Sequence, residues 1–219
     1  MFQNEVDITI SKEQLAGMPP VSFPGKITVV DTCEVAEKAI ADLRNAGMIG
    51  FDTETKPSFR KGQCNTVSLI QLSTDDHCYL FRIKHTGMLE PLIALLEDES
   101  VTKIGLSLRD DFHVLHVISE FTPGGFIDLQ DMVHDHQIHD ISLQKIYGII
   151  FGERISKSQR LSNWEAKELT PGQQQYASID AWACLKIYKY LINGQFKPNE
   201  SPYHQPELLS AHQKDNTKS

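Results

Sequence analysis

The stretch MIGFDTET, Met48 to Thr55, sets two acids into a run that otherwise reads as a buried strand. Side chains two apart on a strand share a face, so Asp52 and Glu54 project together while Phe51 and Thr53 face the other way. Two carboxylates on one face repel, and burying them is costly unless cations compensate. Divalent metal is the usual answer, and hard oxygen ligands favour Mg²⁺ or Mn²⁺. Taken alone, the pair is more often an edge strand whose acids face water, because so short a motif recurs by chance.

A second pair, Asp110 and Asp111 in KIGLSLRDDFHVL, falls where a strand gives way to a helix. Acids there cap helices and answer the helix dipole, which accounts for one of the two; on the residues alone, either is the functional one. In YASIDAW, Tyr176 and Asp180 are four apart and share a helix face with the small Ala177 and Cys184. Small residues let that helix approach a sheet closely. The plainer alternative is a half-buried tyrosine beside an acid.

The set outweighs its members. Two acids on a strand, one at a later strand-to-helix junction and a Tyr-x-x-x-Asp helix supply what a two-metal phosphodiesterase requires. Two divalent ions about 3.5–4 Å apart clamp the attacking and departing oxygens of an in-line displacement. Asp52 is then the bridging ligand, Glu54 and Asp180 complete one site, and the junction acid holds the other. Tyr176 orients or helps to deprotonate the attacking water.

The elements that must position these groups are legible from pattern. Residues 1 to about 26 read as an extension punctuated by GMPP and FPGK. ITVVD is a strand, and Asp31 or Thr32 caps a helix through EVAEKAIADLRNA that stops at Gly47. MIGFDTET is broken by Pro57, and TVSLIQLST and HCYLFRI follow as strands about a TDDH turn. A helix through GMLEPLIALLED leads to the strand VTKIGLS, and DFHVLHVISEF forms the next helix. A helix near SLQKIYGIIF precedes the irregular basic loop GERISKSQRLSNW. Thr170, Pro171 and Gln173 then open a long capped helix ending at Gly194, after which the chain turns polar. Three strands followed by alternating helices and strands predict an α/β fold, a mixed sheet covered by helices.

With these motifs in order, the chain resembles the DEDDy group of 3′→5′ exonucleases, which includes ribonuclease D and the exonuclease domain of the Werner syndrome protein. GFDTET, TVSLIQLST, CYLF, KIGLSLRDDFHVL, SNW and LTPGQQQYASIDAWACLKIY carry the resemblance, which runs from about Val21 to Ile192. It implies a ribonuclease H-like mixed β-sheet flanked by helices, and two divalent cations, Mg²⁺ or Mn²⁺, as cofactors. The family pattern places its third acid six residues after the glycine, which selects Asp111 and leaves Asp110 as the cap. A tyrosine at 176 in place of histidine points to the DEDDy rather than the DEDDh subgroup. The implied catalytic set is Asp52, Glu54, Asp111, Tyr176 and Asp180, with the four acids as metal ligands. The implied organisation is an N-terminal extension (1–20), an exonuclease domain (21–194) and a flexible polar tail (195–219). That tail is not expected to supply a helical nucleic-acid-binding domain of the ribonuclease D kind, so a protein partner is a candidate source of substrate grip.

The substrate expected is the 3′ end of DNA or RNA. Thr53, within the run lining the acids, and Arg60, Lys61, Lys157 and Arg160 are candidate contacts, the four cations to phosphates; ordinary solvated loop charge is the alternative. Trp164 reads as packing rather than as a platform for a base. The net charge of −8 over 219 residues counts against a general nucleic-acid binder. From Ser142 to Asn193, however, seven Lys/Arg stand against four Asp/Glu. His134, His136 and His139 lack the spacing of a dedicated metal site. Four scattered cysteines without a CxxC pair, no signal-peptide pattern and no long apolar run predict a reducing, cytoplasmic setting without membrane. Two rivals remain: a non-catalytic nucleic-acid or protein-binding module on the same fold, and an RNA-specific processing exoribonuclease.

Overall fold

The computed structural model describes residues 8–57 and 66–204. Among them, six strands form one sheet: β1 (Lys26–Val30), β2 (Met48–Thr55), β3 (Val67–Ser73), β4 (His77–Arg82), β5 (Thr102–Gly105) and β6 (Phe126–Asp128). Their order is β1-β4-β3-β2-β5-β6. β2, β3 and β4 form an antiparallel meander, to which β1 adds parallel at one side and β5 then β6 parallel at the other. β3 is buried at every position, as the unbroken apolar character of a central strand requires.

Helices cover both faces. One layer contains α2 (Cys33–Ala46), α4 (Glu90–Glu97) and α5 (Leu108–Leu115), whose apolar sides pack on Ile49, Phe51, Ile70 and Leu72. The other contains α7 (Leu143–Phe151) and the long α8 (Pro171–Ile192), packed on Leu69, Leu80 and Ile104. The remaining helices are α1 (Lys12–Ala16), α3 (Ile83–Thr86) and α6 (Leu129–Asp135). This is a mixed α/β sheet flanked by helices, of the ribonuclease H-like kind. No helix among the described residues is long and apolar enough to cross a membrane.

Local chemistry explains the boundaries. Thr32 caps α2 by accepting from the Val35 N–H, and Gly47 ends it in the left-handed region at φ 67°. Thr170 and Gln173 close a reciprocal capping box at the start of α8, with Pro171 at its first position.

Several expectations change. The stretch before Val21 is folded: Ile8 and Ile10 are buried, and Ser11 and Gln14 form a capping box that starts α1. Residues 195–204 also pack, with Phe196 buried and His204 bridged to Ile8. α5 begins at Leu108 rather than at Asp111 and ends at Leu115, so Asp110 is not its cap. Asp128 does that work from a distance, its carboxylate accepting from the backbone N–H groups of Ser107 (3.0 Å) and Leu108 (2.8 Å).

Candidate active site

β5 pairs with β2 only over Met48–Gly50. Past Gly50 that edge of β2 is released, because the chain leaves β5 at Gly105 and turns sharply at Ser107 (φ 61°). Asp52 and Glu54 therefore stand where the parallel strands β2 and β5 end, a position at which α/β sheets commonly hold ligands. Both carboxylates share the face of Gly50, and Gly50 lies so close to α8 that a Cβ would collide with the Ala181 carbonyl. That close approach brings Asp180 to the strand. Oxygens of Asp52, Glu54 and Asp180 all lie within 4.8 Å of one another.

Asp111, in the first turn of α5, is close enough to repel Asp52 but stands outside this group of three acids. Its carboxylate accepts a 2.5 Å hydrogen bond from Thr53 Oγ1, on the opposite face of β2 from Asp52. Thr53 thus points away from Asp52, as strand alternation requires, and its hydroxyl holds Asp111. Tyr176 stands one helical turn before Asp180 on α8, close enough for each group to shift the other's titration. Trp164 is 1% exposed and packs against Tyr176 with ring centroids 5.9 Å apart, so it serves as packing and is not free to stack on a base. Its loop is tied down by Arg82, which donates to the Lys167 carbonyl (2.8 Å) and the Ala166 carbonyl, and by Glu165, which accepts from Lys56 (3.0 Å) and Lys84 (2.7 Å).

The electrostatics are those of crowded, desolvated acids. Burial, followed by repulsion from Asp111, Asp180 and Glu54, holds the Asp52 carboxyl well above the usual range. Burial and the neighbouring acids push Glu54 up to about 8, against the opposing pull of Arg160. Burial raises Asp180 to about 7 although Tyr176 and Lys157 oppose the shift, and raises Asp111 to about 7 against the Thr53 hydrogen bond. Burial and the same carboxylates push the Tyr176 phenol upward, so it stays protonated. Clustered oxygen donors whose charges are this poorly compensated suit a hard divalent cation, which replaces protons with positive charge.

A cleft of about 510 Å³ opens over the acids and is lined in part by Tyr176, Lys157 and Arg160. Two of the candidate phosphate contacts are therefore at the site; Arg60 and Lys61 lie outside the described residues. The His134–His139 run is elsewhere, at the end of α6, where His136 Nδ1–H donates a 3.0 Å bond to the Met132 carbonyl. Sequence reasoning overlooked Asp128, which orients the helix that carries Asp111. The signal was present as another acid at a strand-to-helix junction, in FIDLQ.

The 3′-5′ exonuclease family model matches residues 27–194. The chain belongs to the 3′-5′ exonuclease family. Within that family it is 31% identical over 186 residues to the bifunctional 3′-5′ exonuclease/ATP-dependent helicase WRN of Mus musculus, covering 80% of this chain and 13% of that protein. The solved exonuclease domain of Aedes aegypti Nibbler is 26% identical with a TM-score of 0.67, covering 84% of this chain and 94% of that one. Escherichia coli RNase D, described as an exoribonuclease involved in structured RNA processing, is likewise 26% identical, with a TM-score of 0.69 over 77% of this chain and 44% of that one. This exonuclease-family chain thus spans a minor part of the mouse and bacterial proteins it matches.

Proposed function

We propose that the chain is a metal-dependent 3′→5′ exonuclease of the DEDDy type, releasing nucleoside 5′-monophosphates from the 3′ end of a DNA or RNA strand. The observation that carries this reading is the convergence of Asp52, Glu54 and Asp180 within 4.8 Å at the floor of an open cleft, inside the residues matched by the family model. Asp52, Glu54 and Asp180 would hold one divalent cation, Mg²⁺ or Mn²⁺, and Asp111 would help to hold a second. When bound, the cations supply Lewis-acid activation of water and of the phosphodiester.

The chain's own groups do the rest. Tyr176, kept protonated by burial and by its acidic neighbours, donates a hydrogen bond and orients the attacking water rather than removing its proton. Lys157 and Arg160, at the cleft wall, receive the substrate phosphates. Thr53 acts through Asp111, whose carboxylate it fixes. Hydrolysis joins the water oxygen to phosphorus and breaks the bond to the 3′ oxygen of the preceding nucleotide, which leaves as a new 3′-hydroxyl end.

The test supplies the purified chain with Mn²⁺ or Mg²⁺ and 5′-labelled single-stranded DNA, recessed duplex DNA and RNA. A ladder shortening one nucleotide at a time from the 3′ end is expected. Asp52→Asn removes a carboxylate that would hold metal and is expected to lower the rate by at least roughly a hundredfold with an unchanged circular dichroism spectrum. No products on any strand would overturn the reading in favour of a binding module, as would full activity in Asp52→Asn.

A further inference from the structure

Beside the carboxylate cleft lies a second cavity of about 420 Å³, large enough for a ligand of nucleotide size. Ser142, Gln144 and Lys157 line both, so the start of α7 is a ridge between two adjoining spaces. Four cations, Lys12, Lys145, Arg154 and Lys157, wall the second cavity, and no acid is in its lining. In a chain of net charge −8, such a grouping marks a place prepared for an anion. Lys145 is paired with Asp140 at 2.5 Å, and Arg154 Nε donates to the Met18 carbonyl at 3.0 Å. Among the described residues Lys12 and Lys157 form no ion pair. The apolar side chains of Leu15 and Ile155 complete the wall.

The wall formed by α1 is firmly seated. Leu15 and Met18 press on α7 at Gly148, where a Cβ would lie 2.8 Å from Leu15 Cδ1 and 3.2 Å from Met18 Sδ. The chain after α1 is stitched to the basic loop by Arg154 N–H to the Pro19 carbonyl (2.9 Å) and Val21 N–H to the Arg154 carbonyl (3.0 Å). α1 precedes the region matched by the family model, residues 27–194.

We propose that this cavity is an upstream nucleotide subsite. It holds the phosphate and base of a single-stranded polynucleotide on the 5′ side of the terminal phosphodiester presented to Asp52, Glu54 and Asp180. This rests on the exonuclease reading of the neighbouring cleft. Lys12, Arg154 and Lys157 meet the backbone, and Leu15 and Ile155 offer an apolar surface to a base. A longer strand therefore gains contacts that a dinucleotide does not reach, and α1 contributes substrate grip from within the chain.

The test measures binding of fluorescent DNA and RNA decanucleotides, blocked by a 3′-terminal phosphorothioate, to the full chain by anisotropy across a salt series. KM for a dinucleotide and for an unblocked decanucleotide is measured in parallel with Mn²⁺. Lys12 is exposed, so its replacement does not threaten the fold. Lys12→Glu is expected to weaken decanucleotide binding about tenfold and to reduce the salt slope by about 1, with Lys12→Gln intermediate. The dinucleotide KM is expected to move less than the decanucleotide KM. Lys38→Glu on α2, across the sheet, makes the same change in net charge and is expected to alter affinity by less than about twofold. Unchanged binding in Lys12→Glu overturns the subsite, as does an equal loss in Lys38→Glu. A wild-type chain that binds the strands but degrades none overturns the exonuclease reading, while the Lys12 comparison still decides the cavity.

Discussion

Tyr176 owes its role to its surroundings more than to its own acidity. Burial and the charges of Asp180, Glu54 and Asp52 all favour the neutral phenol, so the residue is a donor throughout the working pH range. It stands beside Asp180, one of the carboxylates proposed to hold metal. Tyr176→Phe keeps the ring contact with Trp164 and removes only that hydroxyl. Turnover is expected to fall roughly 10- to 100-fold, with metal affinity, read by calorimetry, affected less. An unchanged kcat would reduce the tyrosine to packing.

Between elements, the decisive contact is α8 against β2. Asp180 meets Asp52 and Glu54 only because Gly50 has no side chain where the Ala181 carbonyl lies. Gly50→Ala must push the helix off the strand, at a cost of roughly 1–3 kcal/mol, and it separates the acids of the cluster. A lowered Tm in chemical denaturation or melting is expected together with loss of nuclease activity, although the substituted residue carries no reactive group. Retention of both would show that the helix yields without moving Asp180. On the other side of β2, the Thr53 bond to Asp111 and the Asp128 bonds to the start of α5 hold the fourth acid in place. Strand alternation had placed Thr53 correctly while leaving its partner unknown, since the partner lies 58 residues along the chain.

At the scale of the whole molecule, the acid cluster links stability to pH and to metal. Unfolded, these carboxyls release their protons near pH 4. In the metal-free fold Glu54 holds its proton to about 8, and Asp111 and Asp180 to about 7. The fold therefore binds more protons than the unfolded chain between those limits. The stability contributed by the protonated cluster is full below about pH 4 and is lost as pH rises through about 7 to 8. Metal-free protein is expected to melt at a lower temperature at pH 8.5 than at pH 6, by roughly a few degrees. Added Mn²⁺ or Mg²⁺ is expected to restore more at the higher pH, where fewer protons compete for the oxygens. A Tm indifferent to both pH and metal would show that the acids neither repel nor hold a cation.

The sequence by itself determined what is local or periodic. The placement of Asp52 and Glu54 on one face follows from the two-residue strand repeat, and the start of α8 follows from Thr170, Pro171 and Gln173. The spacing of Tyr176 and Asp180 follows from the helical turn, and the ordered motifs marked the family before any contact was known. Tertiary structure alone decided which distant groups meet. Asp128 capping α5, Thr53 holding Asp111, Trp164 buried behind Tyr176 and α1 walling the second cavity each join residues far apart in the chain. The same holds for Asp110, which the family pattern left as the cap and which the carboxylate of Asp128 displaced from that task. Periodicity fixes the direction a side chain takes from its own backbone. Which surface lies opposite is set by the packing of the layers, and that depends on the whole chain at once.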